Sequence, residues 1–303
     1  MPARNPSISR RQGAFTLVEL LVVIGIIGVL ISILLPVLSK VRAQAAAVSC
    51  MSNLRGLGQA ITIYTDGNKG VYPPYRMPNS VTRKSIYGIG GMDVFRPRWY
   101  ELLGGCVKRY ANQHPQPIDD DTWTIGDPWF LCSAAPDWQN NRNYPFGYNY
   151  QFLGNPRLKA DGTTVKYPVK ASSVKASVTV LALDCMGTAA GKKEADRTGY
   201  YNDGTKDRHA LGNKGYVVDP PRLTGNSDIA DPAHSAMEDR SGPHARHGGR
   251  VNVVFCDGHA AKVTPQELGY VVRGDGSIAG NDKAANNKLF SGTGNDDDPP
   301  SKK

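Results

Sequence analysis

The stretch FTLVELLVVIGIIGVLISILLPVL, residues 15–38, decides how the rest of the chain is read. It holds 24 residues and a single charge, Glu19. As a helix it would be about 36 Å long, against a hydrocarbon core of roughly 30 Å. Apolar on every side, it predicts a membrane span. The leader before it, MPARNPSISRRQGA (1–14), carries Arg4, Arg10 and Arg11 and no acid. That charge bias holds the leader on the cytoplasmic side and sends the bulk of the chain outward. Glu19 is the anomaly. A carboxylate that deep costs about 2.5–3.5 kcal/mol on insertion scales, so something must offset it.

Ordinary targeting signals fit poorly. A secretory signal peptide has a shorter apolar core, followed directly by a small-x-small cleavage site. Here the nearest such site, Ala43-Gln44-Ala45, lies where the helical pattern continues. A twin-arginine signal would use Ser9-Arg10-Arg11, but Gly13 stands where its aromatic belongs. A plain anchor fits the length and gives Glu19 no role. Gly25 and Gly28 either allow close helix approach or reflect how common small residues are in membrane helices.

Beyond Pro36 the apolar positions Leu38, Val41, Ala45, Val48, Met51, Leu54, Leu57, Ile61 and Tyr64 recur at three or four residues. That spacing predicts one amphipathic helix stripe. It stops at Asp66-Gly-Asn-Lys-Gly70, so one helix from about Thr16 to Thr65 is expected, roughly 75 Å long.

The whole chain has 303 residues, with 36 Lys and Arg against 27 Asp and Glu. The excess is spread out. No arginine-rich helix or basic-aromatic platform points to nucleic acid. Forty per cent hydrophobic residues exclude wholesale disorder, and one apolar run excludes a polytopic transporter. Residues 67–303 hold 28 of the 33 glycines and 18 of the 21 prolines, which disfavours long helices and favours a loop-rich β head. Trp99, Trp123, Trp129 and Trp138 are read as a small second core cluster under loops, a carbohydrate-binding shelf being the alternative. Ser177–Asp184 reads as a buried strand, and 186–245 as a long irregular insertion. In residues 250–263, two β-prone runs flank Asp257-Gly258, a hairpin signal. A two-residue turn would pair Cys256 with His259 and Phe255 with Ala260. Val251, Val253 and Phe255 would then share a face.

Two sets of residues carry a family resemblance. Gly-Ala-Phe-Thr-Leu-Val-Glu-Leu-Leu-Val-Val-Ile (13–24) resembles the signal of type IV pilins and type II secretion pseudopilins. The resemblance implies cleavage by a prepilin peptidase between Ala14 and Phe15, and N-methylation of Phe15. It also implies an assembly role for Glu19, fifth in the mature chain, and a helix kink at Pro36. Gly13 stands one place before the family's usual last leader glycine. The second set is His247, nine residues, then Asp257-Gly258. It is similar to the C-terminal signature of a planctomycete-type group of pilin-like proteins. That group also shows patterns matching Cys50-Met-Ser-Asn-Leu-Arg55, Tyr72-Pro73, Phe130-Leu131-Cys132 and Gly147-Tyr148-Asn149. Ser133 stands where the group usually has proline. The resemblance implies Cys50 with Cys132 as a disulfide pair, with buried free thiols as the alternative.

Little else points to chemistry. His244, His247, Asp257 and His259 sit among Gly242, Pro243, Gly248 and Gly249, which argues for loops and a structural His247. No catalytic residue and no metal ligand is assigned there. No nucleophile elbow, Walker loop or zinc-peptidase helix occurs. Asp275, Asn281 and Asp282 offer oxygens to calcium, as in the C-terminal loop of major pseudopilins, at a spacing that matches no calcium loop. No other cofactor is expected.

The expectation is therefore an α+β protein, a long N-terminal membrane-spanning helix packed on a loop-rich antiparallel β-sheet head. Its parts are a leader (1–14), a transmembrane helix (15–38), an amphipathic continuation (39–66), a head (67–285) and a flexible tail (286–303). The expected function is non-enzymatic, as a subunit of a secretion pseudopilus or pilus-like fibre. It would sit single-pass in the inner membrane with a periplasmic head. Its partners would be the prepilin peptidase, other pilin-like subunits and their assembly machinery, and lipid. The alternatives are a tethered envelope-binding protein that does not polymerise, and a tethered hydrolase.

Overall fold

The computed structural model describes residues 17–77, 86–89, 92–95, 97–111, 125–136, 144–154, 169–197, 215–223, 230 and 240–299. The first element, α1, runs unbroken from Leu17 to Gly67 and passes through Pro36. It stops where expected: Gly70, at φ +75°, donates its N–H to the Thr65 carbonyl. Residues 17–45 belong to a unit of their own, and every side chain in them is exposed.

The head contains the rest of α1, which contributes Ala47, Cys50, Met51, Leu54, Leu57, Ala60 and Ile61 to its core. The apolar stripe read from the sequence holds from Met51 onward. Val48 departs from it and stands 65 % exposed, because Ala47 and Cys50 occupy the inward face at that level.

A four-stranded antiparallel sheet faces the helix. Its order is β3 (Phe146–Tyr148), β4 (Val180–Asp184), β5 (Val251–Phe255) and β6 (Ala260–Val263). A separate hairpin pairs β1 (Ile86–Ile89) with β2 (Met92–Phe95), and α2 (Trp99–Val107) follows it. The short α3 spans Tyr150–Leu153. The sheet is covered on both sides, so β4 and β5 are buried at every position. Towards the helix lie Leu181, Ala182 and Val254, with Trp99, Phe130, Tyr144 and Tyr148. On the other side lie Val180, Leu183, Val251, Val253 and Phe255, with Leu268, Tyr270, Ile278 and Phe290. The expected shared face of Val251, Val253 and Phe255 is thus present. A register shift between Val180 and Ala182 lets Leu181 and Ala182 both turn towards the helix.

Close approach of helix and sheet depends on glycine. A Cβ on Gly58 would lie 2.7 Å from Val254 Cγ2, and one on Gly56 would lie 2.9 Å from the Trp129 ring. A larger residue at Gly58 would hold the helix off the sheet, and one at Gly56 would push it off the 128–130 turn.

Several expectations need correction. The β5–β6 loop has three residues, not two. Val254 pairs with Ala260 and Val253 with Ala261, while Phe255 N–H bonds to the His259 carbonyl. Gly258 donates to the Phe255 carbonyl and sits at φ +88°, so a type I turn is closed by a left-handed glycine. Trp99 is not in a satellite cluster. It lies at the heart of the helix-facing core, and its Nε1 donates to the Tyr216 carbonyl at 2.6 Å. Trp129 packs over Gly56, and Trp123 and Trp138 lie outside the described residues.

Parts of 186–245 are core rather than insertion: Val217, Val218, Asp219, Arg240 and Ser241 are buried. Asp219 accepts from Tyr150 Oη, Ser241 N and Ala230 N. Burial pushes its pKa up to about 6, against the opposing charge of Arg240. The tail is also packed as far as residue 299. Phe290 is fully buried, the Asn287 side chain accepts from Arg222 N and donates to the Arg222 carbonyl, and Arg222 pairs with Asp296 and Asp298. Its acidic composition suggested solvation, but those carboxylates have a basic partner on the head.

Candidate functional site

Two places hold the residues singled out from sequence. The first is the exposed apolar part of α1. Leu20, Val22, Ile24, Ile27, Leu30 and Leu34 are 47–63 % exposed in the isolated chain. From Leu17 to Ser39 the sole charge is Glu19, in the first described turn. This helix is long and apolar enough to cross a membrane. Ala14 and Phe15 lie outside the described residues.

The second place is buried in the head. Cys50 of α1 forms a disulfide with Cys132. Beside it Asn53 Nδ2 donates to the Pro128 and Leu131 carbonyls at 3.2 and 3.0 Å, so the helix is tied to the 128–132 segment twice. His247 lies against this bridge, with Nε2 3.6 Å from Cys132 Sγ. The same nitrogen is 3.3 Å from Asp184 Oδ2, both side chains being at most 1 % exposed. Asp184 ends β4 and organises the loop into β5. Its carbonyl accepts from His244 N, and its Oδ2 accepts from Asn252 N at 2.8 Å. His247 N in turn donates to the Arg250 carbonyl. Burial and the nearby Arg246 and Arg197 push the His244 pKa well below its usual value, which keeps that ring neutral.

The signature residues therefore separate. His247 belongs to the buried centre, whereas Asp257 and Gly258 form the exposed β5–β6 turn. There Asp257 Oδ1 accepts from the His259 N–H and lies 2.6 Å from its Nδ1, and the His259 ring stacks on Phe255 at 4.2 Å. Asp275 and Asp282 cap local turns through Ser277 and Ala284. Asp184 was missed as a site residue. Its only sequence signal was a carboxylate closing an otherwise apolar strand.

Residues 9–35 match the family model for the prokaryotic N-terminal methylation motif. No curated protein and no solved structure matches the chain. The motif contains Glu19 and enters the exposed part of α1. It supports a type IV pilin-like protein and is consistent with a subunit processed by prepilin peptidase. Together, motif and long apolar helix suit a membrane-anchored protein.

Proposed function

We propose that this chain is a structural subunit of a type II secretion pseudopilus or type IV pilus-like fibre. On this reading it is cut between Ala14 and Phe15, N-methylated at Phe15 and held single-pass in the inner membrane with a periplasmic head. The His247…Asp257-Gly258 pattern, similar to the signature of the planctomycete-type group, supports membership of that group on the same reading. The head acts without catalysis or cofactor. One observation carries the reading: within the methylation motif, an exposed apolar helix keeps one carboxylate, Glu19. A tethered binding protein has no use for that charge.

Cleavage supplies the use. A new α-amino group at Phe15 would lie one helical turn from Glu19. Each charge is costly in lipid, and each neutralises the other, within a helix or between neighbours. A pair made between subunits sets the axial register of the incoming helix. Removing one member of a desolvated pair typically costs about 3–5 kcal/mol. Glu19→Ala is therefore expected to insert as well as the parent and to be cleaved nearly normally, yet to be excluded from fibres. Mass spectrometry of the mature N-terminus and quantification of sheared fibres read the two effects separately. An uncut Met1 start would remove the processing step. Normal fibres from Glu19→Ala alone would leave the tethered binding protein as the better account.

A further inference from the structure

The buried centre around His247 brings three metal-binding side chains together from distant parts of the chain. Cys50 Sγ, Cys132 Sγ and His247 ligand atoms lie within 4.8 Å of one another, all buried. Asp184 Oδ2 stands 3.3 Å from His247 Nε2, and Asp184 Oδ1 has no hydrogen-bond partner among the described residues.

The distances are informative. Charge-assisted N–H···O bonds run at about 2.7–2.9 Å, and the contact of His247 Nε2 with Asp184 Oδ2 is longer. Tetrahedral zinc, with bonds of roughly 2.0–2.2 Å to N and O and about 2.3 Å to S, separates its N and O ligands by about 3.4 Å. It separates N from S by about 3.6 Å. The observed separations are 3.3 Å for His247 to Asp184 and 3.6 Å for His247 to Cys132. Among the described residues, His247 Nδ1 has no hydrogen-bond partner that would fix the ring in one tautomer. The ring can carry its proton there and present the Nε2 lone pair.

We propose that, when Cys50 and Cys132 are reduced, the chain binds one Zn²⁺ through Cys50 Sγ, Cys132 Sγ, His247 Nε2 and Asp184 Oδ2. The electrons come from a dithiol reductant. It gives two electrons and two protons to the sulfur–sulfur bond and becomes a disulfide itself. The two thiols then release two protons as they bind the metal, and the sulfurs part to about 3.8 Å. Metal and disulfide are thus alternative clasps on the same elements: α1, the 128–132 segment and the loop before β5. The metal form belongs to the chain before oxidation and the disulfide form to the oxidised head. Of His244, His247, Asp257 and His259, to which the sequence assigned no metal, only His247 takes part, with partners distant in sequence. Fibre assembly is not required for this proposal.

The test uses the full-length chain in detergent, reduced under anaerobic conditions and titrated with Co²⁺ and then Zn²⁺. One equivalent of Co²⁺ is expected to give thiolate-to-cobalt charge-transfer absorption, which Zn²⁺ displaces. Cys132→Ser and His247→Ala each remove a direct ligand, so each is expected to weaken Zn²⁺ binding by more than the roughly 10–100-fold that loss of a partner behind a ligand costs. X-ray absorption of the zinc-loaded parent needs no variant and is expected to show two sulfur and two nitrogen or oxygen ligands. Absence of the charge-transfer band in the reduced parent would overturn the proposal. So would a shell of three or four sulfurs, or a shell without sulfur.

Discussion

Single residues hold this head together through backbone geometry and buried charge. Gly258 sits at φ +88°, where a β-branched side chain is strained. Gly258→Val is expected to destabilise the head by about 1 kcal/mol or more, read as a lower urea midpoint at unchanged slope. Asp219 gives a pH signature. Its folded pKa is raised by burial to about 6, above the ordinary carboxylate range of about 4, so between those values the folded state binds more protons than the unfolded one. Stability from this group is full below pH 4 and is lost as pH rises through about 6. Relative to Asp219→Asn, the parent is expected to lose about 3 kcal/mol between pH 4 and 7. A pH-independent difference between the two would show that Asp219 keeps an ordinary pKa. At this scale the sequence was partly legible. The turn glycine announced itself beside Asp257. Asp219 did not, because its burial depends on Tyr150, Ala230 and Ser241, all distant in sequence.

At the scale of elements, α1 was the most readable feature. Its continuity, its exposed apolar part and its stop at 67–70 all follow from periodicity and glycine placement. Its docking was less so. The inward face at Ala47 and Cys50 is chosen by the disulfide and by the sheet, and local spacing pointed instead to Val48. The hairpin register shifted by one residue for a similar reason. Asp-Gly serves both a two-residue turn and a three-residue loop, and pairing with β4 selects the latter. The notch at Gly58 separates propensity from packing. Gly58→Ala gains about 1 kcal/mol of helix propensity, but its Cβ meets Val254 Cγ2 at 2.7 Å. Overpacking of this kind costs typically 1–3 kcal/mol, so net destabilisation is expected. Gly67→Ala, whose Cβ meets nothing within 4 Å, is expected to be neutral or stabilising in the same denaturation assay.

At the scale of the whole molecule, both cores take groups from far ends of the chain. Asn149 Nδ2 donates to the Val180 and Phe290 carbonyls, each at 2.9 Å, so a residue read from composition as flexible tail closes the far side of the sheet. Phe290→Ala is expected to cost about 3–5 kcal/mol, measured by thermal unfolding of the head. A smaller loss, under about 1 kcal/mol, would mean that the terminal segment contributes little. The packed tail also sets an order of events during synthesis. Val254, which fills the Gly58 notch, and Phe290, which completes Asn149, are made long after α1. Contacts this distant along the chain are slow to form, because loop-closure entropy must be met before they repay it. The core of the head is therefore completed only once Val254 and Phe290 have been made. The apolar helix can reach lipid while everything behind it is still an open chain.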